Sequence, residues 1–194
     1  MIMIKSCDMC SSDFEFLGGL WLCPKCKNSY LEDYPMELTV EKLTEDRFFE
    51  VYELFREYPD FFADNFKLDN FCQLHYYLVN KVTDVLIGVK NDKVIGCAYL
   101  RNLENGLGEV AIITRRKALH PDETVNTLHN CLHYYFDNNN LNFIYAITRV
   151  VNKAALRLNK ALGFKGGEIL KDYELVNGKF MDCVLTGLLR ENLQ

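Results

Sequence analysis

The spacing of apolar residues changes several times along the chain, and each change predicts a different element. Apolar side chains recur every three or four positions, as on one face of a helix, in residues 45–57, 68–81, 121–137 and 152–162. They alternate with polar residues or form short runs bounded by turns, as in strands, in residues 37–41, 84–89, 94–100, 108–114 and 141–148. A closing hairpin is predicted to turn at Asn177-Gly178.

Turn and cap signals support this order of elements. Thr44 is predicted to cap the first helix, and Pro121 suits the first position of the third helix. Asn105-Gly106 favours a tight turn between two strands. The predicted order is β-α-α-β-β-β-α-β-α-β-β. A chain of 194 residues can hold one full-sized core, expected in residues 35–194, together with a small module in residues 1–34.

Two cysteine pairs of the form C-x-x-C stand in that small module and predict a metal site. They are Cys7 with Cys10 and Cys23 with Cys26. Four thiolates at this spacing suit one tetrahedral Zn²⁺ in a closed structural site. The segment between the pairs has turn glycines and aromatic residues typical of a hairpin, so the module is predicted to be a zinc ribbon. Two disulfides or a redox dithiol pair are the alternative interpretation.

The remaining cysteines favour reduced thiols. Each lies in an apolar pattern, where a thiol behaves as a small core side chain: Cys72, Cys97, Cys131 and Cys183. No apolar run is long enough to span a membrane and no targeting segment precedes Cys7, so a cytoplasmic protein without membrane contact is expected.

The net charge of −5 and the isoelectric point near 5.4 argue against a general nucleic-acid-binding surface. Lys5, Lys25 and Lys27 form a local basic group near the cysteines. They could neutralise the charge of the metal centre or contact phosphate.

One segment carries a family resemblance. Residues 152–164 read Asn-Lys-Ala-Ala-Leu-Arg-Leu-Asn-Lys-Ala-Leu-Gly-Phe, after a buried strand and before a terminal hairpin. With the predicted element order, this segment resembles the GNAT superfamily of acyl-CoA-dependent acyltransferases over about residues 36–190. The resemblance implies an α+β fold, a mixed central sheet flanked by helices. An ordinary amphipathic helix with a glycine C-cap is the alternative.

The resemblance implies a set of acyl-CoA contacts. In the family a bulged strand holds the pantetheine arm and polarises the thioester carbonyl, a following loop binds the diphosphate, and an asparagine opens the helix beside the cofactor. The matching residues are Ile112, Ile113 and Thr114 on the strand, Arg115, Arg116 and Lys117 in the loop, and Asn152. The loop lacks the two glycines usual in the family, and Asp122 and Glu123 follow it.

The resemblance also implies catalytic residues. The family often has a tyrosine as general acid seven residues after the helix-opening asparagine, where this chain has Asn159. Glu109 matches the frequent glutamate base, although a solvated glutamate at a strand edge is the alternative. Tyr145, Tyr173 and His120 are further candidates for proton transfer.

Two histidines have two interpretations. His129 and His133 lie four residues apart on a predicted helix, and they are either solvated side chains or ligands of a second metal.

Two functions are open for the whole chain. One is an acyltransferase that acylates an amine on a protein, small molecule or nucleic acid, with the ribbon aiding recognition of the acceptor or of a partner. The other is a catalytically degenerate GNAT-like protein that acts as a zinc-containing binding or structural module.

Overall fold

The computed structural model describes residues 15–17, 20–22, 29–31, 38–62, 70–115, 119 and 121–193. The chain divides into two compact units, Met1–Glu37 and Leu38–Gln194. The boundary predicted between residues 34 and 35 stays a prediction, because residues 32–37 lie outside the described part of the chain.

The first unit contains a three-stranded antiparallel sheet. Its strands are β1 (Glu15–Leu17), β2 (Leu20–Leu22) and β3 (Ser29–Leu31), in that order. Glu15 pairs with Leu22, and Leu22 also pairs with Ser29. The hairpin predicted before Cys23 is therefore confirmed. The four predicted zinc ligands, Cys7, Cys10, Cys23 and Cys26, lie outside the described residues.

The second unit is built on a seven-stranded sheet. Its strands are β4 (Thr39–Lys42), β5 (Asp84–Lys90), β6 (Lys93–Glu104), β7 (Leu107–Thr114), β8 (Phe143–Arg149), β9 (Lys165–Val176) and β10 (Lys179–Leu189). They lie in the order β4-β5-β6-β7-β8-β10-β9. Every neighbouring pair is antiparallel except β7 and β8, which are parallel. This is the mixed sheet flanked by helices that the sequence predicts.

Helices cover both faces of this sheet. They are α1 (Phe48–Arg56), α2 (Phe71–Asn80), α3 (Pro121–Asn138) and α4 (Lys153–Ala161). The side chains of α1 and α2 pack on one face, in a cluster that includes Tyr99 and Ile113. The side chains of α3 pack on the other face, in a cluster that includes Leu100, Val110 and Ile144. Alternate strand residues therefore serve two separate cores.

The first helix begins differently from the prediction. A 3₁₀ turn at Glu45–Arg47 precedes α1, and the Thr44 side chain makes no capping hydrogen bond to it. The Arg47 N–H instead donates to the backbone carbonyl of Thr44 over 3.0 Å, which satisfies one N-terminal donor without the hydroxyl. Asn70 does cap α2, where its side chain accepts from the Gln73 N–H over 3.0 Å.

The prediction of reduced cysteines is confirmed for the four cysteines within the described residues. Cys97, Cys131 and Cys183 are buried free thiols, and burial raises the pKa of Cys131 to about 12. Cys72 is exposed on α2, so its place in an apolar pattern did not predict burial. No helix in the described part of the chain is long and apolar enough to cross a membrane.

Candidate active site

The sheet opens between β7 and β8. These two strands pair only through Leu107 with Phe143, Gly108 with Ile144, and Glu109 with Tyr145. Beyond that point β7 continues to Thr114 along β6, and β8 continues to Arg149 along β10. We call the space between the two strands beyond Glu109 and Tyr145 the gap. Its closed end lies at those two residues.

Backbone groups of β7 point into the gap. The Arg115 N–H donates to the Ile95 carbonyl over 2.8 Å, which fixes the alternation of the antiparallel ladder between β6 and β7. The backbone groups of Ile113 therefore bond to β6, and those of Val110, Ile112 and Thr114 face away from β6. Of the three predicted pantetheine contacts, Ile112 and Thr114 thus present backbone groups to the gap, and Ile113 does not.

A set of polar side chains surrounds Glu109 at the closed end. Arg101 donates from Nη2 to Glu109 Oε1 over 2.5 Å, and Asn102 donates from Nδ2 to Glu109 Oε2 over 2.7 Å. Arg101 also donates from Nη1 to the Tyr77 hydroxyl over 3.1 Å. With Tyr145, whose phenol interacts with Asn102, these residues form what we call the Glu109 cluster.

Glu109 is buried, with only 5% of its surface exposed, on an interior strand. The alternative interpretation, a solvated glutamate at a strand edge, is therefore wrong. This burial was not predicted, because the predicted strand ended at Leu100 and omitted Arg101. The sequence did contain one indication of it: Arg101 and Glu109 have opposite charges and lie four residues to either side of Asn105, as a cross-strand ion pair would.

The tyrosines beside Glu109 keep their protons at neutral pH. Burial, followed by the negative charge of Glu109, raises the pKa of Tyr145, against the opposing hydrogen bond with Asn102. Burial and the same carboxylate also raise the pKa of Tyr173, although that side chain is about half exposed. Both groups therefore stay neutral hydroxyls, which can donate or accept a hydrogen bond at this end of the gap. His120, a third predicted candidate for proton transfer, lies outside the described residues.

The bulge implied for the strand 108–114 is found in its neighbour. The ladder of β7 with β6 is regular from Glu109 to Thr114. A register shift occurs instead in β6 between Arg101 and Glu104, where Asn102 has a φ of 54°. The bulge can form at this position because Asn is one of the few residues that tolerate the left-handed conformation.

The connection between α1 and α2 bonds to both sides of the gap. The Tyr58 hydroxyl donates to the Thr114 carbonyl of β7 over 2.6 Å. The Arg149 guanidinium of β8 donates to the carbonyls of Asp60 and Phe61, and its Nε lies 2.6 Å from Glu174 Oε2. Residues 58–61 therefore bond to both strands at the open end of the gap.

A pocket of about 20 Å³ lies under the first turns of α3. Gly88 and Gly96, on neighbouring strands, line it on the side of the sheet, and Thr124 and Thr127 line it on the side of α3. A pocket of this size has room for one or two water molecules.

Sequence comparison decides the family. A sequence profile described as an acetyltransferase (GNAT) domain matches residues 72–185, which is more than half of the chain. The chain belongs to the GNAT acetyltransferase family. A comparison with curated proteins found no match.

Solved structures have the same fold as this GNAT chain. A spermidine N-acetyltransferase from Vibrio cholerae, in complex with CoA and spermine, superposes with a TM-score of 0.68 at 20% identity, over 80% of this chain and 97% of that one. A ribosomal-protein-S5-alanine acetyltransferase from Vibrio fischeri superposes with a TM-score of 0.68 at 16% identity, over 81% and 95%. At these identities the likeness shows the fold.

The cationic loop of this GNAT domain is partly described. Arg115 is held by an ion pair with Glu57 and by a hydrogen bond of 2.9 Å from its Nε to the Val94 carbonyl. Its guanidinium therefore joins α1 to the β5–β6 hairpin. Arg116 and Lys117 lie outside the described residues. Glu123, which follows the loop, lies 3.3 Å from the Lys90 ammonium, so its negative charge is offset.

The two asparagines of the family segment have different environments. Asn152 opens α4 as predicted, and its exposed side chain accepts from the Ala155 N–H over 3.1 Å. Asn159 is buried and donates to the hydroxyls of Thr148 and Thr186, over 3.1 and 3.3 Å. At the position of the family's usual acid, this GNAT domain therefore has an amide that joins α4 to β8 and β10.

The histidines of α3 belong to no group among the described residues that could hold a metal ion. His129 is half-buried and its Nδ1 has no hydrogen-bond partner among the described residues, whereas His133 is exposed. Across the same described residues, no group of three or more His, Cys, Asp or Glu side chains is placed to hold a metal ion.

Replacing Asn159 with alanine should therefore affect stability. The change removes a buried donor and leaves Thr148 and Thr186 without this partner, so we expect a loss of about 1 to 3 kcal/mol in the free energy of unfolding. Urea denaturation measures the loss. Asn138→Ala, at an exposed helix position, is the control and should stay within about 0.5 kcal/mol of the wild type. Equal stabilities for the two variants would contradict the structural role of Asn159.

Proposed function

We propose that this protein transfers an acyl group from an acyl-CoA, with acetyl-CoA as the first candidate, to an amine. The observation that supports this is the gap between β7 and β8, with the buried carboxylate of Glu109 at its closed end. An extended thioester arm can hydrogen-bond to strand backbone as another strand would. The backbone groups of Ile112 and the carbonyl of Val110, which face away from β6, suit that contact, because backbone groups away from water require partners.

The proposed acyl-CoA contacts follow the gap toward its open end. Ile112, Ile113 and Thr114 would line the arm. Ile113 would act only by holding Ile112 and Thr114 in place, since its own backbone bonds to β6. Asn152 would stand beside the cofactor at the start of α4. The diphosphate would be bound mainly by Arg116 and Lys117, and Arg115 would support the loop from its ion pair with Glu57.

Glu109 is proposed to be the general base. The acceptor nitrogen attacks the thioester carbon, the new C–N bond forms as the C–S bond breaks, and Glu109 takes the proton that the nitrogen loses. The departing thiolate takes a proton from solvent or from a tyrosine, because Asn159 cannot supply one. A thiolate is a good leaving group, so the larger demand falls on the amine.

The acceptor is proposed to be a cationic amine or an N-terminal amine. The compared structures are named as spermidine and ribosomal-protein-alanine acetyltransferases, which offer one probe of each kind. Phenols of Tyr145 and Tyr173 beside the carboxylate of Glu109 suit an ammonium group that must be bound and then deprotonated.

For the first unit we propose a structural zinc ribbon that aids recognition of the acceptor or of a partner. The register is compatible with it, because Glu15 pairs with Leu22, so β1 begins at the end of the sheet where β2 ends. Four thiolates in two C-x-x-C pairs suit a single Zn²⁺.

Acetyl-CoA should stabilise the protein against unfolding. Ligand at about a hundred times its dissociation constant adds about 2.7 kcal/mol to the free energy of unfolding, which thermal denaturation with and without ligand measures. Arg116→Glu should abolish the shift by reversing a charge in the cationic loop. Lys179→Glu, an exposed charge reversal at the β9–β10 turn, is the control and should keep it. Indifference of the wild type to millimolar CoA and acetyl-CoA would favour the catalytically degenerate binding module.

Glu109→Gln should reduce turnover and leave cofactor binding intact. The amide keeps the shape of the carboxylate but does not take a proton, so we expect kcat to fall by roughly 10² to 10⁴. The assay follows thiol release from acetyl-CoA with spermidine and with a peptide that begins with alanine. Glu104→Gln, an exposed change in the same hairpin, should retain full activity. Full activity of Glu109→Gln would place the base elsewhere.

The purified protein should contain one zinc ion per chain. Elemental analysis of protein purified without chelator measures it, and Cys23→Ser should lose the ion and make the first 34 or so residues protease-sensitive, because a small module depends on its metal for folding. Cys72→Ser changes an exposed free thiol and should retain the zinc. Wild-type protein without stoichiometric zinc would contradict the ribbon.

A further inference from the structure

We propose that Arg101 and Asn102 are positioning residues that hold the Glu109 carboxylate in place for proton transfer. This inference rests on the proposed function, since it gives two residues a role in deprotonating the acceptor amine at the same site. It adds two residues of β6, a strand that forms neither wall of the gap.

The geometry depends on the bulge in β6. Consecutive residues of a regular strand point to opposite faces of the sheet, so Arg101 and Asn102 would not reach one carboxylate from a flat strand. The register shift after Arg101 and the φ of 54° at Asn102 change this arrangement. As a result Arg101 bonds to Oε1 of Glu109 and Asn102 bonds to Oε2. Each oxygen of the carboxylate has its own donor, which fixes the plane of the group.

The arrangement is costly, which favours a functional reason for it. A buried ion pair seldom stabilises a fold more than apolar side chains of the same size. Bulges that redirect side chains are also found beside active sites more often than elsewhere. Here the bulge, with its left-handed asparagine, and the buried ion pair occur together, directly at the closed end of the gap.

The charged and titratable groups around Glu109 come from three elements. They are Arg101 of β6, Tyr145 of β8 and Tyr173 of β9, and Tyr77 of α2 bonds to Arg101. Arg101 is the one cation among them. Burial lowers the pKa of Arg101, but its hydrogen bond and charge interaction with Glu109 raise it by more, so Arg101 stays charged. Asn102 also interacts with Tyr145, which links the carboxylate to the phenol across the gap's closed end.

The first test is Asn102→Gly. Glycine keeps the left-handed backbone without strain and removes the amide, so the bulge survives and the hydrogen bond to Glu109 is lost. We expect kcat to fall about tenfold, with the KM for acetyl-CoA within twofold of the wild type. Asn105→Gly is the matched control, because Asn105 is also exposed and has a φ of 52°, but lies at the hairpin turn. It should leave kcat unchanged. The assay uses acetyl-CoA with spermidine and with the alanine peptide.

The second test replaces Arg101. Arg101→Met removes the donor to Oε1 of Glu109, so we expect kcat to fall about tenfold with the KM for acetyl-CoA within twofold of the wild type. Arg101→Lys keeps a charged donor and should restore part of the lost kcat. A purely structural role would lower the melting temperature without this selective loss of kcat. If Arg101→Met does not fold, the lysine variant and Asn102→Gly still test the proposal.

A double variant shows whether these residues act through Glu109. In the Glu109→Gln background, Asn102→Gly should have no further effect on kcat, because the group that it positions is gone. Independent tenfold losses in both backgrounds would overturn the proposal, as would an unchanged kcat in the Arg101 and Asn102 single variants. If the wild type acylates amines and Glu109→Gln is fully active, the positioning role is wrong but the proposed acyltransferase function is kept. A wild type that transfers no acyl group to either probe would overturn both.

Discussion

The second unit depends on a short parallel ladder. Two antiparallel sheets, β4 to β7 and β8 to β10, are joined only where three residue pairs connect β7 to β8. A parallel pair requires a crossover, and here that crossover contains α3, whose apolar side chains pack across both sheets in one cluster. The ladder thus fixes the two sheets at one end, and the helix covers the place where they separate. An opening in the middle of a sheet is stable because each flanking strand keeps its other neighbour.

The same constraint explains why polar residues collect at Glu109. Side chains on the last joined pair, Glu109 and Tyr145, stand at the edge between a closed sheet and an open one. Deeper in the core a carboxylate would lack partners, and further along the gap it would face solvent. At this position Arg101 and Asn102 reach it from β6, and the gap begins at the same residue. A buried carboxylate with its own donors therefore stands where the sheet opens.

Most of the element order could be predicted from the sequence, because it depends on local periodicity and turn residues. Asn152 at the start of α4 and the Asn177-Gly178 turn are examples where a short-range preference decides the structure. The site was less predictable, since it depends on contacts across strands. The bulge at Asn102 was missed because a left-handed asparagine leaves the apolar pattern unchanged. The buried environment of Asn159 was missed because Thr148 and Thr186 come from strands far apart in sequence.

Residues 58–61, which follow α1, link the two halves of the sheet at the open end of the gap. Tyr58 bonds to the end of β7, and the backbone of Asp60 and Phe61 bonds to Arg149 at the end of β8. The parallel ladder joins the same two halves at the closed end. Widening the opening would therefore require β7 or β8 to release its bonds to this short segment.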